Sequence, residues 1–221
     1  MYTAKHLFDF NGTAIMFINE LAITCFSKGM AIDADGHPFA YHPENTGLDD
    51  LQHAGYPGNW WGIATHDTST SGEPIIQKGS DPAPGYFVTT TSMTDERYLN
   101  DDPRRYIDAA VVPYFVLPDK FKPSINLGDI AWIFNRENRL SSFAVFADTG
   151  PDVGEGSIYL AGKLGIDNDP RYGGISSGVL YFIFDGSRKV NGYIAGPKEI
   201  WETGTLLMKD INRLGLLNIF T

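Results

Sequence analysis

Apolar and polar positions alternate, or the apolar ones run in short blocks, along most of this chain, and both patterns point to strands. Blocks rich in β-branched and aromatic residues at 13–19, 21–26, 86–91, 111–117, 130–135, 143–147 and 179–184 read as strands. A polar turn, Asp33-Ala34-Asp35-Gly36, follows the second block. From His42 to about Gly85 the pattern breaks up, interrupted by Pro43, Pro57, Pro74, Pro82 and Pro84. A connection this long inside a compact domain is functional or inserted. Two segments carry a helical signature: residues 156–164, closing at Gly165, and residues 197–213, starting at Pro197 and closing at Gly215. In the second, Ile200, Gly204, Leu207, Met208, Ile211 and Leu214 share one stripe, which reads as core. The expected fold class is mainly β, a β-rich α+β domain over residues 1–221.

Composition agrees. Hydrophobic residues make up 43% and charged residues 20%, the balance of a globular rather than a disordered chain. The 24 Gly and 13 Pro fit short strands joined by tight turns. A net charge of -10 without a Lys/Arg cluster argues against nucleic acid and favours a polycationic partner. The single cysteine, Cys25, lies in an apolar run and reads as a buried thiol. No cleavable signal or membrane-length apolar run is evident, so the expectation is a protein without a membrane span, cytoplasmic or exported by a non-classical route. His6, His37, His53 and His66 lack metal spacing, and neither a Gly-x-Ser-x-Gly elbow nor a phosphate loop occurs. No cofactor and no metal are expected. The Asp33-x-Asp35 start of a calcium loop fails at Pro38, where such loops need Gly.

The most informative segment is 127–166. It reads strand, turn, strand ending at Ala147, then Asp148-Thr149-Gly150-Pro151, a short loop, Gly154-Glu155-Gly156-Ser157 and a helix. Hydrolysis of a glycosidic bond needs one protonated carboxyl for the leaving oxygen and one ionised carboxylate for water. Asp148 and Glu155 are the catalytic candidates, although Asp-x-Gly also makes ordinary turns and a Glu before a helix also complements its dipole. Glu155, between Gly154 and Gly156, has room to lie under a sugar ring. Asp33 and Asp35 are candidates for contacts to sugar amines or for plain turn formation. Trp60 and Trp61 are candidates for stacking on pyranose faces, with one of the two expected in the core. Tyr41 and His42 are further substrate-binding candidates.

The strand, Asp-x-Gly-Pro, loop, acid and helix order resembles the core of double-psi β-barrels, found in rare-lipoprotein-A-type transglycosylases, expansins and family-45 endoglucanases. A wider resemblance, over roughly residues 30–187, is to glycoside hydrolase family 75. It rests on Ile32-Asp33-Ala34-Asp35-Gly36, Ala40-Tyr41-His42-Pro43, Gly47-Leu48-Asp49-Asp50-Leu51, Ala54-Gly55, Gly58-Asn59-Trp60-Trp61, Asp81-Pro82-Ala83-Pro84-Gly85-Tyr86, Thr90-Thr91-Ser92 and the Asp148/Glu155 segment. The resemblance implies a six-stranded double-psi-like barrel with added strands, long loops and a C-terminal helix. It also implies an inverting endo-chitosanase that uses Asp148 and Glu155 on a glucosamine polysaccharide. Inversion implies carboxyl groups about 6.5–9.5 Å apart. Ala147 departs from the glycine common before that Asp. The rival readings are a muramidase-like or transglycosylase-like enzyme on peptidoglycan glycan, which non-classical export as an antibacterial effector would suit, and a non-catalytic carbohydrate-binding module.

Overall fold

The computed structural model describes residues 2–188 and 196–220. Strands β1 (Lys5–Phe10) and β2 (Thr13–Ile18) form a hairpin that feeds β3 (Ile23–Asp33). The turn is Asn11-Gly12, with φ of 44° and 77°, the left-handed pair that a tight two-residue hairpin demands. A two-residue hairpin follows, β4 (Gly55–Tyr56) and β5 (Asn59–Trp60). Then come β6 (Tyr114–Leu117), β7 (Ile130–Asn135), β8 (Ser141–Thr149), β9 (Glu155–Ser157), helix α1 (Ile158–Lys163) and β10 (Ile175–Phe184). Helices α2 (Pro197–Leu207) and α3 (Arg213–Leu217) end the chain.

The main sheet runs β1-β2-β3-β10-β7-β8-β6-β9, and β9 pairs back onto β3. That last pairing closes β3, β10, β7, β8, β6 and β9 into a six-stranded barrel, with β1 and β2 as two added strands. Closure leaves those six strands no free edge. Two pairings, β3–β9 and β6–β8, are parallel; the others in the barrel are antiparallel. The β-rich barrel with long loops and a C-terminal helix is the fold class expected from the sequence.

Side chains alternate between two cores. Phe26 and Met30 of β3, Phe115 of β6, Ile133 of β7, Phe146 of β8 and Tyr181 of β10 pack with Leu160 of α1 and with Leu164 just after it on the inward face. Tyr114, Trp132, Phe143, Val145 and Phe182 point outward and pack with Ile200 of α2, Met208 just after it and Leu216 of α3.

Several boundaries differ from the pattern-based reading. The block at 86–91 forms no strand. Its backbone meets only isolated bridges, Ile63↔Thr89 and Ile76↔Phe87, because the Gly/Pro-rich segments beside it offer no continuous partner. The block at 111–117 pairs only from Tyr114, after a turn in which Val111 and Val112 both donate to the Asp108 carbonyl. The helix expected over 156–164 starts at Ile158, since Gly156 and Ser157 belong to β9 and the Ser157 side chain caps the helix by accepting from Leu160 N–H. The helix expected over 197–213 is two helices. The first stops at Leu207, and Asn212 caps the second by accepting from Gly215 N–H, so Gly215 sits inside a helix instead of ending one.

Candidate active site

The barrel's outer wall carries a row of residues from four adjacent strands. Val116 of β6 pairs with Asp148 of β8 on one side and with Glu155 of β9 on the other. Glu155 in turn pairs with Ala31 of β3, and Asp33 lies two residues further along the same face. Regular alternation from Phe146, an inward residue, would send Ala147 outward and Asp148 inward. The register of β6 against β8 shifts between Phe115 and Val116, so that Phe115 pairs with Phe146 and Val116 with Asp148. Ala147 is therefore the extra residue of a bulge, and the bulge turns Asp148 onto the face that carries Val116 and Glu155. Ala147 is fully buried, and its carbonyl accepts from Met93 N–H at 2.8 Å, which gives the alanine at this position a packing role.

A cavity of about 910 Å³ lies against this row. Its lining includes Asp33, Asp35, Tyr41, Trp61, Asp148 and Glu155, six of the eight candidates named from sequence. The other two lie elsewhere. Trp60 is 6% exposed and packs against Phe87 in a separate core cluster, while the neighbouring Trp61 is 53% exposed. His42 is half-buried edge-on to Tyr86 and accepts from Glu44 N–H through Nδ1, away from the cavity lining. The Trp61 ring stands at the rim beside Tyr56, with its Nε1–H donated to the His53 carbonyl at 2.7 Å.

Gly154 and Gly156 are glycines for reasons other than access to a sugar. Gly154 has φ +94°, and a Cβ there would strike the Lys28 side chain; a Cβ on Gly156 would press on Leu160 and Met30. Gly150 and Gly62 make room at the site: a Cβ on either would come within 3.2 Å of a carboxylate oxygen, of Glu155 and of Asp35 respectively.

The carboxylates differ in their surroundings. Asp148, 6% exposed, accepts through Oδ1 from Ser92 N–H at 2.8 Å, Ser92 Oγ–H at 2.7 Å and Thr149 N–H at 2.8 Å. Burial pushes its pKa up to about 6, against the downward pull of those donors. Glu155 is pushed higher, to about 7, by burial first and then by the charges of Asp148 and Asp49. Asp33 and Asp35 are raised well above the usual carboxylate range, each by burial first, then by Asp35 and Asp148 respectively. Asp33 Oδ1 accepts from Asp35 N–H at 2.7 Å, and Asp35 accepts from Thr89 Oγ1–H at 3.2 Å. Acids crowded this way cannot all ionise together, so the cluster holds protons near neutral pH.

One carboxylate oxygen each from Asp33, Asp35 and Asp148 lies within 4.8 Å of the others, and these are the residues that would hold a cation. Their hard oxygen donors suit Ca²⁺ or Mg²⁺ in chemistry.

Sequence reasoning left out three contributors. Ser92 lies in the quoted Thr90-Thr91-Ser92 motif, so a signal existed. Asp49, in Gly47-Leu48-Asp49-Asp50-Leu51, is buried, accepts from Tyr41 Oη–H at 3.2 Å and lies 2.8 Å from His53 Nδ1. Arg171 had no signal. Its guanidinium donates to the carbonyls of Asn45, Gly47 and Asp49, tying the loop before β10 to the cavity wall across more than a hundred residues of chain.

No protein-family model matches this chain, and no curated protein matches it.

Proposed function

We propose that the chain is a glycoside hydrolase that cuts β-1,4 bonds in a glucosamine-containing polysaccharide, with Glu155 as general acid and Asp148 as general base. The observation that carries this reading is the pairing of two unlike carboxylates across Val116 in one cavity. Glu155 is raised to about 7 and retains its proton longer, while Asp148, raised to about 6 and held by three donors, ionises first. Burial raises both acids; the donors from Ser92 and Thr149 favour the ionised form of Asp148, and the Asp148 charge favours the protonated form of Glu155. In the proposed step Glu155 gives its proton to the glycosidic oxygen as the C1–O bond breaks. A water attacks C1 from the opposite face and passes its proton to Asp148, which inverts the anomeric centre. The two backbones stand two strand spacings apart, roughly 10 Å, with Val116 between them.

The lining supports a cationic substrate. Asp33, Asp35, Asp49, Asp119, Asp148 and Glu155 face the cavity, against Arg171 and His53. A bound sugar ammonium would stand in for a proton in the Asp33–Asp35 pair, and Trp61 offers an exposed ring to a pyranose face at the rim. The family-75 motifs agree with chitosan as that substrate. The test is reducing-end release from chitosans of graded acetylation and from peptidoglycan. The expected result is a rate that falls as acetylation rises and as salt screens the amines. A rate independent of acetylation would remove amine recognition. Turnover of peptidoglycan alone would move the enzyme to the muramidase-like class, and binding without new reducing ends would make it a carbohydrate-binding module.

A further inference from the structure

A second cleft, of about 470 Å³, opens where β7 and β8 meet α1 and the C-terminal helices. It touches β8 at Ser141–Phe143, the end of the strand opposite Asp148; six residues of extended chain separate the two places by roughly 20 Å. Its character is the reverse of the acidic cavity. The charged side chains lining it are Lys163, Lys198 and Arg213, all cationic, in a chain of net charge -10.

Aromatic rings hold two of these cations in place. The Lys163 ammonium lies over Tyr159 at 5.1 Å, and the Arg213 guanidinium lies over Trp132 at 5.8 Å. Neither has an acidic partner among the described residues. A ring face attracts and orients a cation without cancelling its charge, so both heads remain able to bind an anion. Lys198 lies 3.9 Å from Glu202. Because the Tyr159 and Trp132 faces are covered, the open ring is Trp201, 62% exposed. Ser141 adds a hydroxyl, and Ser142, whose Oγ–H goes to the Phe143 carbonyl, adds an acceptor oxygen for a sugar.

From these features we infer that the cleft binds a sugar acid: a saccharide ring stacked on Trp201, with its carboxylate or phosphate held between Lys163 and Arg213. The site stands apart from the hydrolase reading and does not depend on it.

The experiment is titration of the full chain, followed by tryptophan fluorescence and calorimetry. The probes are oligogalacturonate, glucose 6-phosphate, a neutral cello-oligosaccharide and adenosine monophosphate. The expected result is saturable binding of the uronate, the sugar phosphate or both, lost at high salt. Which one binds identifies the anion. Lys163→Gln and Arg213→Gln should each weaken it by about tenfold, as should Trp201→Ala, with chitosan cleavage unchanged. All three side chains project from the surface, and circular dichroism checks that each variant folds. The inference is overturned if neither anionic sugar saturates, if the neutral or nucleotide probe binds more tightly, or if the three substitutions leave affinity untouched.

Discussion

Asp148 shows how one neighbour tunes a buried carboxylate. Two of the three hydrogen bonds on its Oδ1 come from Ser92, one from the backbone and one from the hydroxyl. Burial raises Asp148, and these donors limit the rise. The proposed mechanism needs Asp148 ionised and Glu155 protonated. The rate should therefore climb as pH rises through about 6 and decline above about 7, with both limbs belonging to the coupled cluster. Ser92→Ala removes one donor from the ionised form, so Asp148 should hold its proton longer. The acid limb should move up by about half a pH unit to one unit while the alkaline limb stays. An unmoved acid limb in a pH–rate profile would take Asp148 out of the base role. Asp148 and Glu155 were legible in the sequence because an Asp-x-Gly-Pro turn and an acid before a helix are local patterns. The Ser92 contact was not, because it joins positions 56 residues apart. Trp60 and Trp61 were legible as a pair with one inside and one outside; which one faces the cavity was decided by packing against Phe87.

At the scale of elements, the bulge at Ala147 and the docking of α2 position what the strands carry. Strand existence was readable from apolar blocks for β2, β3, β6, β7, β8 and β10. The bulge was invisible, since it depends on the register of β6 against β8 and not on the composition of either. Strand β1 was missed because Lys5, His6 and Asp9 break its apolar run, although Asn11-Gly12 was a readable hairpin turn. Of the apolar stripe expected on the C-terminal helix, Ile200 and Met208 lie in the outer core with Leu207 and Ile211 packed against it, while Leu214, 65% exposed, turns to solvent because the helix breaks after Leu207. Gly204 lets α2 approach so closely that a Cβ there would enter the Phe143 ring. Gly204→Ala should gain about 1 kcal/mol of helix propensity and lose about 1–3 kcal/mol to overpacking. A lowered Tm with unchanged turnover per folded molecule is expected. A raised Tm would mean that α2 can shift outward at no cost.

Across the whole molecule, the acidic cluster costs stability as its carboxylates ionise. The folded pKa of Glu155 lies above its ordinary value near 4.5, so the fold favours the protonated acid. That cost is absent below about pH 4.5, builds as pH rises and is complete above about 7. Glu155→Gln should therefore raise Tm at pH 8 by about 5 °C, on the order of 2 kcal/mol, and leave it unchanged at pH 4. An equal gain at both pH values would point to packing as the cause. The same substitution separates an enzyme that uses Glu155 from a carbohydrate-binding module, and it leaves the cavity's shape in place. The direct measurement is release of reducing ends from chitosan by wild type and Glu155→Gln at pH 6.5. The account predicts steady turnover by the wild type and a loss of at least about a hundredfold in the variant, with chitosan still bound. Equal turnover by both proteins, or none by the wild type, would contradict it.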